Sequence, residues 1–196
     1  MASHTLLPSS HTDTFVRTQL PPFAQWPEFN FDRPELTYPE CLNVTSDLVD
    51  VHIAQGYGAR PALHGYNGTV PMSWSYAELQ QHVDRIAHVL TQDMALVAGN
   101  RLLLRGGNTP MMAACFLAGL KAGLVMVPTM PLLRAAELSQ VIRKANITAA
   151  LCMSHLAEEL NHCIDPAHPH HAPTLQQVLH FGLADGTGLE ALMHSH

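Results

Sequence analysis

Hydrophobic and polar positions divide this chain into an irregular opening stretch and a long regular alternation. From Ser75, "SYAELQQHVDRIAHVLTQ" sets Tyr76, Leu79, Val83, Ile86 and Leu90 on one face at helical spacing. Ser75 and Glu78 make an S-x-x-E capping box, which fixes where that helix starts. After "MALVAGN", short apolar runs alternate with helical ones. "RLLLRG" reads as a strand, and "NTPMMAACFLAGLKAG" as a helix with Thr109 as N-cap, Pro110 in the first turn and Gly123 just past the end. "LVMVP" is a second strand, apolar without alternation, which predicts a position in the middle of a sheet buried on both faces. "LLRAAELSQVIRKAN" is a helix with Leu138, Val141, Ile142 and Ala145 facing inward. "TAALCM" and "QVLHFG" are further strands, separated by a short helix near "SHLAEEL", and "GLEALMHSH" is a last helical turn or two. Strands alternating with helices predict an α/β fold with a partial parallel sheet flanked by helices.

Upstream the pattern differs. "NVTSDLVDVHIAQGYG" sets Val44, Leu48, Val51 and His52 on one helical face, with Gly56 or Gly58 as terminator. "RPALHGYNGTVPMSWS" reads as two short strands around the turn "YNGT". In residues 1–42, Pro21, Pro22, Pro27, Pro34 and Pro39 exclude a long helix or a central strand. The spaced aromatics Phe23, Trp26, Phe29 and Phe31 argue against plain disorder, so this stretch is expected to be an extended arm lying against the body of the domain.

Composition narrows the function classes. Apolar residues make up 47% of the 196 and charged ones 13%, which describes a globular chain with a large core. A net charge of -6 with only 10 Lys plus Arg lacks the basic footprint of nucleic-acid binding. Cys41, Cys115, Cys152 and Cys163 form no C-x-x-C pair, and three of them fall in apolar periodic segments, so a reduced, cytoplasmic chain is expected. The start shows no basic region followed by an apolar core, hence no secretory signal. The apolar run Met111 to Met130 contains Lys121, Gly123 and Pro128, so it predicts a buried helix and strand and no membrane span.

"WSYAEL" (Trp74 to Leu79) resembles the early L-S/T-Y-x-E-L motif of the adenylate-forming enzymes. "LKAGLVMVPTMPLLRAAEL" resembles their L-K-A-G-x-x-x-V-P segment, in the same order and at similar separation. "DTFVRTQLPPFAQWPEFNFDRPELTYPECLN" and "TMPLLRAAEL" resemble a narrower group, the aryl acid–CoA ligases of the 2-aminobenzoate/benzoate type. The resemblance runs from about Asp13 onward. It implies that 43–196 is an incomplete N-terminal subdomain of such a ligase, preceded by the arm of 1–42. It also implies a parent activity in which an aromatic carboxylate attacks ATP to give an acyl-adenylate and pyrophosphate, and coenzyme A then displaces AMP. That parent would need ATP, Mg and CoA, with a phosphate-cradling loop and lysines.

Those parts are not found here. The only lysines, Lys121 and Lys144, lie at helix ends, where a cation suits the dipole, and neither follows a Gly-rich loop. The chain is therefore expected to be the N-terminal fragment of a ligase, missing the remainder, inactive alone and binding no cofactor itself. No catalytic, cofactor-binding or metal-binding residue is assigned. "GLADGTG" does not have the glycine order of a dinucleotide fingerprint and reads as a loop. The 14 histidines include His168, His170 and His171 in a proline-interrupted loop, and His155 and His162 on one helical face two turns apart. No evolved metal site follows from that spacing, although opportunistic nickel or zinc binding does. Met111, Met112, Met126 and Met130 read as core packing, and Asp84 and Arg85 as a solvated helix face. Two other functions fit the sequence: a stand-alone interaction or regulatory module using an unfinished sheet edge, and a small nucleotide-binding domain using the strand ends.

Overall fold

The computed structural model describes residues 8–28, 33–67, 69–183 and 187–196. In chain order the elements are α1 (Phe15–Thr18), α2 (Val51–Ala54), β1 (Pro61–Asn67), β2 (Val70–Ser75), α3 (Tyr76–His88), β3 (Arg101–Arg105), α4 (Pro110–Lys121), β4 (Val125–Thr129), α5 (Ala135–Lys144), β5 (Ala149–Met153), α6 (Ala157–Ile164), β6 (Gln177–Phe181) and α7 (Leu189–Met193). Strands β3 to β6 form a parallel sheet in the order β4-β3-β5-β6, and β1 pairs antiparallel with β2. The expected partial parallel sheet flanked by helices is what forms.

Alternate residues of β3 and β5, with Phe181 of β6, supply two cores, one on each face of the sheet. Leu102, Leu104, Ala149, Leu151 and Phe181 pack against Leu79, Val83 and Ile86 of α3, Ala114, Cys115 and Ala118 of α4, and Leu189 and Met193 of α7. Leu103, Ala150 and Cys152 pack against Leu138 and Ile142 of α5 and Leu160 and Cys163 of α6. The period of two along a strand makes this division.

Local signals act as read. Ser75 Oγ accepts from the Glu78 amide at 3.3 Å while Glu78 Oε2 accepts from the Ser75 amide at 2.7 Å, closing the capping box. Thr109 Oγ1 accepts from the Met112 amide at 3.2 Å and caps α4. Gly123, at φ +73°, lets the chain turn out of α4 into β4 in the left-handed region that a side chain disfavours.

Four expectations are corrected. β4 is an edge strand of this sheet and does not lie in its middle; β3 is interior and buried along its whole length. An apolar run reads alike in either place, but Pro128, opposite Leu104, lacks an N–H and suits an edge. The segment before α2 winds as a π-turn over Ser46–Asp50. Its inward face is Thr45, Val49 and Ile53, at helical spacing but one position along from the expected stripe, so Val49 is buried at 2% exposure while Val44, Leu48 and Val51 face solvent. His155 lies in a 3-10 turn ahead of α6, so it does not share a helical face with His162. Met130 is exposed, whereas Met111, Met112 and Met126 pack on the core.

The arm has no buried residue among the described positions of 8–44. It is tied at two places. The Asp13 amide donates to the Ala98 carbonyl at 2.9 Å, and the Asp13 carboxylate pairs with Arg101. At the other end Asn43 Nδ2 donates to the Lys121 carbonyl at 3.0 Å, and Thr45 Oγ1 to that of Leu117 at 2.7 Å. Phe23 and Trp26 stack on each other at 5.1 Å; Phe29 and Phe31 lie outside the described residues, as does the hairpin turn residue Gly68.

Candidate functional site

In an open parallel sheet ligands bind beyond the carboxyl ends of the strands, at the point where the strand order reverses. Here that point lies between β3 and β5, because the chain leaves β3 to one side for β4 and returns on the other for β5 and β6. The loops after these strands therefore make the candidate site: Gly106–Thr109 after β3, Met130–Arg134 after β4, Ser154–Leu156 after β5 and Gly182 and Leu183 after β6.

The crevice itself is filled. A Cβ added at Gly106 would lie 2.8 Å from Met112 Sδ and 3.0 Å from Phe181 Cζ, so apolar side chains close the mouth and the glycine lets them do so. Beside it opens an apolar groove of about 510 Å³, floored by Leu104, Met112, Phe116 and Leu117, with His64, Asn108 and Thr109 at its rim. Gly65 of β1 packs directly on Pro110, where a Cβ would come within 2.8 Å of the ring, and this brings the hairpin over the start of α4. On the β6 side, Ser154 Oγ donates to the Gly182 carbonyl at 3.0 Å and the Gly182 amide to Glu190 Oε1 at 2.7 Å. Glu190 Oε2 and His180 Nε2 are buried there with no hydrogen-bond partner.

Two arginines bracket β3. Arg101, at its amino end, donates to the carbonyls of Gly99, Ala145 and Asn146 and to Asp13. Arg105, at its carboxyl end, donates from Nε to the Leu156 carbonyl at 3.2 Å, from Nη1 to Met130 at 3.0 Å, and from Nη2 to Pro131 and Leu133 at 2.9 Å each. Neither is part of a recognisable motif in the sequence. The available signal was a charge at each end of an otherwise all-leucine strand, R-L-L-L-R.

Lys121 and the buried cysteines are structural, whereas Cys41 is an exposed thiol in the arm, away from this edge. Lys121 pairs with Asp50 at 3.0 Å and with Asp84, at the amino end of the sheet. Burial pushes the Lys121 ammonium down, and the two carboxylates outweigh it, leaving its pKa above the ordinary value. Asp84 is thus an ion-pair partner as well as a partly solvated residue of the helix face. Lys144 is exposed at the end of α5. Burial raises the Cys115 thiol, with Glu190 adding to it, and raises Cys152 to about 11, so neither supplies a thiolate near neutrality. His162 stacks on His168 at 4.3 Å, and no three His, Cys, Asp or Glu side chains converge to hold a metal among the described residues.

A nucleoside triphosphate with Mg²⁺ calls for turn amides, a lysine and carboxylates. Among the described residues both lysines stand away from the carboxyl edge, and the Arg105 donors are committed to backbone carbonyls. These residues do not fit that group, and no catalytic step follows from them.

Comparison with known proteins agrees with the fold. The family described as AMP-binding enzyme matches residues 51–190. An uncharacterised acyl-CoA ligase of Bacillus subtilis (strain 168), YtcI, is 32% identical over 82 residues, which is 42% of this chain and 15% of that protein. Among solved structures, the anthranilate CoA ligase AuaEII in complex with anthranoyl-AMP superposes with a TM-score of 0.69 at 12% identity, over 81% of this chain and 28% of that one. The inhibitor-bound N-terminal domain of FACL13 from Mycobacterium tuberculosis gives 0.65 at 21% identity, over 79% and 36%. A long-chain-fatty-acid-CoA ligase, FadD1, from Archaeoglobus fulgidus gives 0.65 at 17%, over 81% and 31%. The chain thus spans about a third or less of the length of most of these relatives, and identities this low carry the fold alone.

Proposed function

Since the chain belongs to the AMP-binding enzyme family, we propose that it is the N-terminal part of an ATP-dependent, cytoplasmic acid–CoA ligase. The carrying observation is the family match across the hairpin and the whole parallel sheet, residues 51–190. In the complete ligase a carboxylate would attack the α-phosphate of ATP and coenzyme A would then displace AMP. We assign residues 1–42 as its arm and 43–196 as an incomplete α/β subdomain. The role of these residues is scaffold: the closed crevice and the apolar groove beside it form a face against which the phosphate-binding part of the ligase packs. An aromatic acid is the proposed substrate class. It is supported by the likeness of "TMPLLRAAEL" and of the arm to aryl acid ligases, and by the likeness in fold to a ligase solved with anthranoyl-AMP.

The test is to read the coding sequence beyond the His196 codon and to assay ATP–pyrophosphate exchange on the 196-residue chain with benzoate and 2-aminobenzoate. A following Ser/Thr/Gly-rich loop with a lysine, and no carboxylate-dependent exchange by the chain alone, are the expected results. A stop codon at that point would overturn the ligase assignment, and exchange by the isolated chain would overturn the scaffold role.

A further inference from the structure

Loops ordinarily turn their backbone to water and tuck their apolar side chains inward. In the Met130–Arg134 loop Leu133 follows this rule and packs on the cluster around Leu103 and Leu138, but Met130 and Leu132 do the reverse. Met130 is 63% exposed and Leu132 80%, and the Arg134 side chain is 77% exposed. The carbonyls of Met130, Pro131 and Leu133 all point inward to the Arg105 guanidinium, which is 1% exposed. A fourth bond reaches the Leu156 carbonyl in the turn after β5, so one side chain ties together two loops of the carboxyl edge.

Arg105 has no carboxylate partner within ion-pair distance among the described residues. Burying an unpaired cation costs several kcal/mol even after relaxation. A leucine, continuing the strand, would fill the position without that cost. What a guanidinium offers in exchange is geometry: donors in a rigid planar fork, able to hold several carbonyls in fixed relative positions. A lysine carries the same charge but only a compact, rotating ammonium.

We infer that Arg105 is a positioning residue that holds the carbonyls of the Met130–Arg134 loop turned inward, so that Leu132 is presented in a fixed pose at the carboxyl edge beside Arg134, whose side chain Glu159 holds at 2.6 Å. That they meet a substrate there rests on the ligase reading; the hold of Arg105 on the loop does not. The stretch involved, "TMPLL", belongs to the segment that resembles aryl acid ligases, so this part of the resemblance corresponds to a loop shape set by a residue about 25 positions earlier.

Amide hydrogen exchange on the full 196-residue chain tests this, comparing wild type with Arg105→Met and Arg105→Lys. The probes are the Leu133, Ala135 and Ala157 amides, each hydrogen-bonded within or beside the two loops, against Leu103 and Leu151 in the strands. Both variants are expected to speed exchange at the loop probes by roughly tenfold or more, with strand probes changing by less than about twofold, since local and global opening report separately. Addition of methylguanidinium to Arg105→Ala is expected to slow the loop probes again. Unchanged loop exchange, or equal acceleration of loops and strands, overturns the inference. So does full protection in Arg105→Lys, which would make charge and not the fork the agent, and this variant decides the matter if Arg105→Met does not fold. None of these outcomes bears on the coding sequence past His196, which tests the ligase reading by itself.

Discussion

Replacing Asp13 by alanine should destabilise the chain measurably, although Asp13 lies in the arm. The Asp13 carboxylate accepts from Arg101, from Asn100 Nδ2 at 2.8 Å and from the Phe15 amide at 2.9 Å, and the Arg101 guanidinium also lies over the Phe15 ring at 4.6 Å. Arg101 is 3% exposed, so the deletion leaves a buried cation facing only neutral carbonyls. Breaking a buried pair from one side costs about 3–5 kcal/mol. Asp13 keeps some solvent access and Arg101 keeps three carbonyl partners, which brings the expectation to about 3 kcal/mol. For a chain of this size that is a Tm drop of about 6–12 °C. Urea and thermal unfolding read the loss, and trypsin cleavage at Arg17 should become faster. Removing both charges, in Asp13→Ala with Arg101→Met, should recover most of it, because no orphaned cation remains. A single variant within about 0.5 kcal/mol of wild type would refute the reasoning, as would a double variant no more stable than the single one. The pair also has an acid signature. Burial raises the Asp13 pKa, but the hydrogen bonds from Phe15, Arg101 and Asn100 outweigh it and hold the carboxyl below its ordinary value. Its contribution is therefore present above the unfolded-state pKa of about 3.9 and is lost as pH falls through the lower native value.

Two further outcomes are expected. His82 stacks on Trp74 at 4.2 Å with a buried, unpartnered Nδ1, and burial, then Arg85, lowers its pKa; the unfolded chain takes up the proton first, so stability should fall as pH drops below about 6.5, and His82→Phe should flatten that fall in urea titrations at pH 7.5 and 5.5, an identical slope refuting the assignment. Lys121→Met should cost about 1–2 kcal/mol because it strands Asp50, which also accepts from Gln80, whereas Asp84→Asn should cost less than about 1 kcal/mol, since Asp84 is the more exposed partner; equal losses in chemical unfolding would show that the two carboxylates do not differ in this way.

What the sequence made legible follows from how local each signal is. The capping box at Ser75, Thr109 at the start of α4 and Gly123 at its end act within one turn of backbone, and each stands where its chemistry predicts. The stripe of α3 could be read because thirteen residues of ordinary α-helix keep one period. The stripe before it does not match because its inward face includes a threonine, Thr45, bonded to the Leu117 carbonyl, which an apolar pattern passes over. The place of β4 could not be read, because an edge and a centre are defined by partners distant in sequence. The arginine anchors were missed for the same reason. Their partners are carbonyls, which every residue possesses, so nothing in residue identity at Met130, Pro131, Leu133, Ala145 or Asn146 announces them. The strand ends follow from the parallel-sheet pattern as one possible site, but the groove beside them is assembled from β1, β3 and α4 and is not legible in any one segment.

The two arginines of β3 have a consequence for alignment of the sheet. Leu102, Leu103 and Leu104 are interchangeable to their neighbours, so a strand built on them alone could slide along its axis at little loss. Arg101, Leu103 and Arg105 share one side of the strand. A slip of one residue would turn both cations into the cluster around Leu79, Val83 and Ile86, where no carbonyl awaits them. A slip of two would restore the side but carry each fork about 6–7 Å from its acceptors. The strand is pinned at both ends like a rod between two stops, and the frame in which β4 and β5 hydrogen-bond to it is fixed by side chains that take no part in those bonds.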